Sequence, residues 1–293
     1  MSIEKLVYHS PLRYPGGKRN FVPFFLNVFN NSSLEISTYY ELYAGGAGAA
    51  LELLLKGNVK KIILNDADYH IYAFWFSILN HTEAFLRKIE NTIISIEEWK
   101  KQKEIYRNFT QEDIVSVGFS AFFLNRTNRS GILSNAGPIG GINQDGNYTL
   151  DVRFNKKNLS SLINIISTYR DKITLYNEDA IALMKKLENE LQEKSSFIFL
   201  DPPYFEKGKD LYLNFYKLEN HTNLKSYLEE HLHWNWILSY DNCSSIRRLY
   251  KNFPKRIFKI KYSLQDKKQA KEIVIFSESL INSKKKQNIF VKQ

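Results

Sequence analysis

Short apolar runs alternate with segments of helical periodicity along most of the chain. Runs that are rich in β-branched and aromatic residues and poor in charge are typical of strands buried on both faces of a sheet. The runs lie at residues 39–43, 61–64, 173–176, 197–200 and 236–240. Two further strands, 256–262 and 272–277, are predicted as a terminal pair. Strands alternating with helices predict a mostly parallel sheet with helices on both faces.

A long helical stretch separates the second strand from the third. Apolar residues recur there at helical spacing, as in Ile71, Phe74, Trp75, Ile78 and Leu79. Turn-rich sequence follows at 125–148, and a long irregular stretch in a folded protein is more often functional than idle. We therefore interpret 70–168 as an inserted, mainly helical domain, and 1–69 together with 169–293 as the domain that holds the sheet.

The most informative segment follows the fourth strand. Asp201, Pro202, Pro203 and Tyr204 come directly after the apolar run 197–200. The prolines stop the strand and remove two backbone donors. The segment therefore presents a carboxylate, stiff carbonyls and a flat ring, which suit a planar amine on a heterocycle. An ordinary turn from strand to loop is the plain structural alternative.

Two glycine segments look like nucleotide-binding motifs, but neither is complete. Gly17-Lys18 lacks the first glycine and the Ser or Thr of a phosphate-binding loop, and the turn at Gly45 and Gly46 lacks the third glycine of a dinucleotide loop. S-adenosylmethionine, which has no pyrophosphate, fits the shorter turn better. Asp66 lies about twenty residues past the glycines, where a second strand presents a carboxylate to ribose hydroxyls.

Four segments, taken in order, resemble one protein family. Tyr-Pro-Gly-Gly-Lys at 14–18, Gly-Gly at 45–46, Asn-Asp at 65–66 and Asp-Pro-Pro-Tyr at 201–204 resemble the Dam-like (D12, alpha-class) DNA adenine-N6 methyltransferases. The resemblance covers most of the chain, and it implies that 70–168 is a target-recognition domain and that 1–69 with 169–293 is the catalytic methyltransferase domain. It implies an α/β, class I S-adenosylmethionine-dependent methyltransferase fold, Rossmann-like, with a mostly parallel seven-stranded sheet whose last strand is reversed.

The resemblance also implies cofactor-binding roles. Tyr14 and Lys18 would line the methionine side, and Asp201 would touch both cofactor and target. Asp179 lies where the family often holds the cofactor adenine, although a helix N-cap is an equal alternative. Glu41 would pack near the methionine amine or cap a loop.

The implied reaction is direct methyl transfer to the N6 amine of adenine. Asp201 and the carbonyl of Pro202 would accept the amine hydrogens, and Tyr204 would stack on the base. The amine can reach the cofactor only when the adenine leaves the double helix, so base flipping is implied. The basic, aromatic loop after the segment, which includes Lys207, could wall the flipped base or contact phosphates.

Charge favours a polyanionic partner, and double-stranded DNA is the partner implied. The net charge is +10. Asn125, Arg126, Asn128 and Arg129 lie where the family often carries a DNA-reading segment. Arg is the usual reader of guanine and Asn of adenine, although the arginines could instead hold phosphates or cap helices. Departures from the best-known Dam sequence leave the recognition sequence open, GATC included.

Composition excludes other classes. Cys243 is the single cysteine, so neither an internal disulfide nor a cysteine zinc site can form. His221, His231 and His233 show no metal-ligand spacing, and no metal is expected. No stretch has the form of a signal peptide or the length of a membrane span, so we expect a cytoplasmic protein without a membrane partner.

Two other functions remain as alternatives. One is a methyltransferase for RNA or for a protein glutamine amide, and the other is a catalytically silent DNA-binding relative. The glutamine enzymes usually carry Asn where this chain has Asp201, which argues against them. A cognate restriction endonuclease is a candidate partner of a DNA-modifying enzyme.

Overall fold

Parallel strands form the centre of one sheet in the computed structural model, which describes residues 10–13, 17–32, 34–191, 194–205, 216–261 and 269–280. The strands are β1 (Thr38–Glu41), β2 (Lys61–Asn65), β3 (Ile173–Tyr176), β4 (Ser196–Leu200), β5 (Trp236–Asp241), β6 (Lys255–Lys261) and β7 (Gln269–Phe276). Their order across the sheet is β3-β2-β1-β4-β5-β7-β6, and β7 is antiparallel to both neighbours. The predicted mostly parallel, seven-stranded sheet with a reversed last strand is confirmed.

Helices connect the parallel strands and bring the chain back to the same edge of the sheet. They are α1 (Val22–Ser32), α2 (Gly48–Leu55), α3 (Tyr69–Asn80), α4 (Thr82–Asn91), α5 (Ile96–Arg107), α6 (Ile114–Thr127), α7 (Lys156–Ser167), α8 (Ala180–Lys186), α9 (Leu218–Glu230) and α10 (Ser244–Leu249). A 3-10 turn, Lys18–Phe21, precedes α1. Since β1 to β5 are parallel, their carboxyl ends meet at one edge, which is where open α/β sheets bind ligands. Within the described residues, no helix combines the length and apolarity needed to span a bilayer.

The central strands are buried on both faces because successive side chains point to opposite sides. Tyr39 and its register partner Phe197 pack into one apolar cluster together with α1, α2 and the helices that follow β2. Tyr40 and its partner Ile198 pack into a second cluster with α8, α9 and α10. The sheet is thus the middle layer of three.

The helices between β2 and β3 pack into the first of these clusters, alongside the sheet. Phe74 of α3 and Phe122 of α6 share it with Phe25 of α1. Helices α3 and α6 approach closely at Gly118, where a Cβ atom would lie 2.5 Å from the carbonyl oxygen of Ala73. This region and the sheet therefore share one core, and the boundaries of a separate recognition domain at 70–168 stay a prediction.

Candidate active site

A sharp turn follows β1, and helix α3 binds it through a hydrogen bond. Gly45 adopts φ 45°, a left-handed conformation that favours glycine. The Nε1 atom of Trp75 donates to the Gly45 carbonyl oxygen at 2.9 Å, and the Ala44 N–H donates to the carbonyl of Asn65 at 2.8 Å. The turn is therefore tied both to α3 and to the end of β2.

Asp66 lies at the carboxyl end of β2, against this turn. Its carboxylate accepts from the Gly45 N–H at 2.8 Å and from the Asp68 N–H at 2.9 Å. Burial raises the pKa of Asp66 to about 7, and the Asp68 carboxylate adds to the rise. The structure thus brings together the glycine turn and the acid that the sequence spacing paired.

Two asparagines, one of them from the Asn-Asp segment at 65–66, join the strand ends through contacts that the sequence did not predict. The Asn65 amide donates to the carbonyls of Leu42 and Glu178, each at 3.0 Å, and Asn177 donates to the carbonyl of Asp66 at 2.7 Å. These bonds connect the ends of β1, β2 and β3. An amide directly after a buried strand was the available signal, but its partners lie far away in the chain.

Glu41 ends β1 and is buried beneath the same turn. Its carboxylate accepts from the Ala50 N–H at 2.9 Å, in the first turn of α2. In this contact the acid satisfies an orphan donor at the start of the helix, where the prediction had offered the capping of a loop. Burial raises the pKa of Glu41 to about 8 despite that hydrogen bond. A further contact with a methionine amine stays a prediction.

Asp179 shows the helix-cap geometry that was its structural alternative. It precedes α8 and accepts from the backbone N–H groups of Ile181 and Ala182 at 3.0 and 3.1 Å. Next to it, the hydroxyls of Tyr43 and Tyr216 lie 2.9 Å apart, and burial raises the pKa of both phenols, with the Asp179 charge adding to the rise. Binding of the cofactor adenine at this point stays a prediction.

The segment after β4 meets the N-terminal turn. Asp201 Oδ2 forms an ion pair with Lys18 Nζ at 2.9 Å, and Asp201 Oδ1 accepts from Ser239 Oγ at 2.5 Å. Lys18 is buried, whereas the Asp201 side chain is 22% exposed. Burial raises the pKa of Asp201 and the Glu272 carboxylate raises it further, while Lys18 and Ser239 favour the ionised form. Pro202 is buried and Pro203 half-buried directly after it.

Tyr204 is anchored through its hydroxyl. The residue is only 7% exposed, its hydroxyl donates to Glu272 Oε1 at 2.8 Å, and Lys18 Nζ lies 3.2 Å from the same hydroxyl. Phe205 N–H donates to Asp241 Oδ1 at 2.9 Å. The ring is therefore packed in place and is not an open platform, so stacking on a target base stays a prediction.

Sequence reasoning missed the acids that hold this segment. Glu272 stands at the start of the apolar run of β7, and Asp241 ends the buried strand β5. A carboxylate within a buried apolar strand is costly unless it is paired, so its position alone could have marked it. Its partners could not be read from the sequence. Tyr14 and Lys207, which were predicted for the cofactor and for DNA, lie outside the described residues.

Two residues of the predicted DNA-reading segment serve the protein's own backbone. The Asn125 amide accepts from the Arg13 N–H at 2.6 Å and donates to the carbonyls of Arg13 and Gly131. Asn128 accepts from Trp99 Nε1 at 2.7 Å and donates to the carbonyl of Ile132. Both asparagines are buried, and a contact between their amides and a base, which would replace these bonds, stays a prediction.

The arginines of this segment have a different setting. Arg129 is exposed on the turn after α6. Arg126 is half-buried near Arg13 and Arg153, and burial together with these two charges lowers its pKa to about 10. Its Nε atom is buried and makes no hydrogen bond to any described residue. Among the ion pairs of the described residues, none involves Arg13, Arg126 or Arg153, so three like charges gather without a carboxylate partner.

No described group of three or more His, Cys, Asp or Glu side chains is arranged to hold a metal ion. The polar groups described at the strand ends are instead carboxylates, amides, hydroxyls, backbone N–H groups and the buried ammonium of Lys18. Such a set can orient hydroxyl and amine groups and accept their hydrogens.

Comparison with known proteins identifies the family. The family described as D12 class N6 adenine-specific DNA methyltransferase matches residues 14–272. Curated proteins give no match. Two solved structures of the rRNA methyltransferase aviRa from Streptomyces viridochromogenes are similar. The structure at 2.4 Å has 11% identity and a TM-score of 0.39, covering 94% of this chain and 92% of that chain. The structure at 1.5 Å has 10% identity and a TM-score of 0.40, covering 96% and 93%. The family match includes all four motif segments, so the predicted family is confirmed: the chain belongs to the D12 class of N6 adenine-specific DNA methyltransferases.

Proposed function

We propose that this protein is a site-specific enzyme that methylates the N6 amine of an adenine flipped out of double-stranded DNA, with S-adenosylmethionine as methyl donor. The observation that carries the proposal is the setting of Asp201. A partly exposed carboxylate stands at the end of a buried strand, paired with Lys18, on the strand next to the one that ends in the glycine turn.

The residues at the strand ends fit this cofactor. Gly45 allows close backbone approach, and Asp66 offers a buried carboxylate to ribose hydroxyls. When bound, the cofactor supplies a methyl group carried on a positively charged sulfur. Burial raises the pKa values of Glu41, Asp66 and Asp201, while Lys18 favours the ionised form of Glu41 and Asp201 and backbone N–H groups favour that of Asp66. Lys18 would lie on the methionine side of the same edge.

Asp201 is the group we assign to the amine of the target base. The adenine amine is a weak nucleophile because its lone pair is delocalised into the ring, and it must release one proton after the new bond forms. Asp201 can accept a hydrogen bond from the amine, with the Pro202 carbonyl as the second acceptor. A raised pKa makes this carboxylate a better proton acceptor than an ordinary one. The main contribution of the site is then to hold the amine in line for transfer.

Two features support a DNA substrate beyond the family match. The chain carries a net charge of +10. Arg13, Arg126 and Arg153 gather without an acid partner among the described residues, which suits a phosphate group. Arg129 is exposed on the adjoining turn and is our candidate for base contact. A candidate partner is a restriction endonuclease that recognises the same DNA sequence and whose cleavage the methyl group would block.

The test is to sequence the methylated bases of a bacterial host that lacks adenine methylation and expresses either the wild type or Asp201→Ala. The expected result is N6-methyladenine at one short DNA sequence with the wild type and none with the variant. Unmodified DNA in both strains would overturn the proposal, and methyl groups found in RNA or protein instead would reassign the substrate.

A further inference from the structure

Three polar side chains of β5 and β7 lie on one face of the sheet and point at the segment after β4. Ser239 and Asp241 are two residues apart on β5, so their side chains share a face. Glu272 is the register partner of Asp241 on the antiparallel strand β7, so it lies on that face too. All three are buried.

Each of these side chains binds a different part of the segment. Ser239 Oγ donates to Asp201, Glu272 accepts from the Tyr204 hydroxyl, and Asp241 accepts from the Phe205 N–H. The neighbouring carboxylates of Asp241 and Glu272 would repel each other if neither accepted a hydrogen bond, but each has a donor. The segment is thus fastened at three points to the half of the sheet farthest from the cofactor turn.

Glu272 has a second bond that reaches the N-terminal turn. Its Oε1 atom lies 3.3 Å from Lys18 Nζ, the same ammonium that pairs with Asp201 at 2.9 Å. One buried positive charge is therefore shared between two carboxylates. Lys18 also lies 5.3 Å from the centroid of the Tyr204 ring. Glu272, Lys18 and Tyr204 form a closed set of contacts around Asp201.

We propose that Glu272 is a positioning residue for methyl transfer: it fixes Lys18 and Tyr204, and it withholds part of the Lys18 charge from Asp201. The inference rests on the proposed function of Asp201 and adds to it a residue that never needs to touch the substrate. With Gln in place of Glu272, Asp201 would lose the repulsion of a neighbouring carboxylate and keep the attraction of Lys18, so it would be a weaker proton acceptor.

The test compares Glu272→Gln with Glu52→Gln. Glu52 is also a buried carboxylate, but it pairs with Arg19, the next residue of the same N-terminal turn, and with Lys56. Both changes loosen the turn by one ion pair, and only the first alters the charge near Asp201. For Glu272→Gln we expect kcat to fall about tenfold or more with KM for DNA and cofactor unchanged. The acidic limb of the pH profile of kcat should move to lower pH, while Glu52→Gln keeps the wild-type profile.

A second measurement is independent of activity. Carbon NMR of the labelled Asp201 carboxyl, assigned with Asp201→Asn, should show a lower pKa in Glu272→Gln than in the wild type. Other polar or titratable groups that face Asp201 stay unchanged in both proteins: Lys18, Tyr39, Glu41, Tyr204 and Ser239. Tyr204→Phe, which removes only the hydroxyl bonded to Glu272, should lower kcat less than Glu272→Gln does.

The outcomes separate this inference from the proposed function. An active wild type in which the two Gln variants behave alike would overturn the positioning role while leaving adenine methylation intact. An inactive wild type would count against the proposed function, and the NMR titration would still decide whether Glu272 controls Asp201. An unchanged pKa of Asp201 in Glu272→Gln would overturn the inference in either case.

Discussion

The two halves of the functional edge hold their acids in different ways. On the cofactor side, Asp66 is bound by the backbone N–H groups of Gly45 and Asp68. On the catalytic side, Asp201 is bound by the side chains of Lys18 and Ser239. Both acids follow buried parallel strands, and burial raises the pKa of each. Acids in similar positions of the fold are thus held by backbone N–H groups in one case and by side chains in the other.

This difference predicts where the protein is sensitive to substitution. Backbone donors survive most changes of side chain, so the setting of Asp66 depends mainly on the conformation of the glycine turn. The setting of Asp201 depends on side chains from the N-terminal turn, β5 and β7, any of which a single substitution can remove. We therefore expect substitutions that lower kcat to be scattered along the chain, and those that weaken cofactor binding to cluster near β1 and β2.

The largest effect should come from Asp201 itself. Asp201→Ala should abolish methyl transfer, because the amine loses its charged acceptor. The protein should still fold and bind DNA, because Lys18 keeps Glu272 as a partner and is not left as an unpaired buried charge. Methyl transfer, circular dichroism and DNA binding measured on one preparation check this. An unfolded variant would mean that Asp201 is chiefly a structural ion-pair partner.

Much of the architecture could be predicted from the sequence, because buried strands and amphipathic helices leave local patterns. The strand at 173–176 was predicted with its observed bounds, and the reversed strand followed from the family resemblance. The acids after strands, such as Asp66, could be predicted because parallel strands end at a common edge. The role of Glu272 could not, because its partners are set by strand order and not by spacing along the chain. The internal bonds of Asn125 and Asn128 could not be predicted for a related reason: an amide suited to a base is equally suited to a loop backbone.

The second-largest effect should come from Asp66, whose carboxylate is bound by backbone N–H groups. Asp66→Asn should weaken binding of S-adenosylmethionine by about tenfold to a hundredfold at pH 8, because ribose hydroxyls lose a charged acceptor. The wild-type affinity should rise as pH increases through about 7, where Asp66 ionises, and the variant should lack this dependence. Calorimetry across this pH range provides the measurement. Equal affinities at pH 8 would remove Asp66 from the cofactor site.

Asp66→Asn, which should weaken cofactor binding, should at the same time increase the free energy of unfolding above about pH 7. The pKa of Asp66 is raised to about 7 in the folded protein, from an ordinary value of 3.8. The folded state therefore binds more protons than the unfolded state between these values, and Asp66 makes the free energy of unfolding fall as pH rises across that window. Asp66→Asn should remove this part of the pH dependence, which denaturant unfolding at several pH values would show.

A smaller effect distinguishes the half-buried Arg126 from the exposed Arg129. Arg126→Gln should weaken binding to all DNA sequences alike and flatten the salt dependence, as expected for loss of a phosphate contact in the Arg13, Arg126 and Arg153 cluster. Arg129→Gln should cost about 1–3 kcal/mol on the preferred sequence and relax discrimination at one base pair. Binding to cognate and single-mismatch duplexes at several salt concentrations checks both, with the exposed Arg170→Gln as control. If Arg129→Gln still discriminates cognate from mismatched duplexes, Arg129 contacts the DNA backbone and does not read a base.

The smallest effect concerns Asp179, which lies at the boundary of the cofactor half. Asp179→Ala removes the cap that accepts from the N–H groups of Ile181 and Ala182, and we expect the free energy of unfolding to fall by about 1 kcal/mol. Asp179→Asn should keep most of that stability, because Asn is as good an N-cap as Asp. Cofactor affinity should stay close to the wild-type value in both variants, since the contacts in the structure are those of a cap. If both variants instead bind S-adenosylmethionine more weakly while Asp179→Asn keeps its stability, the acid also holds the adenine, and the cofactor half then depends on a side-chain contact as the catalytic half does.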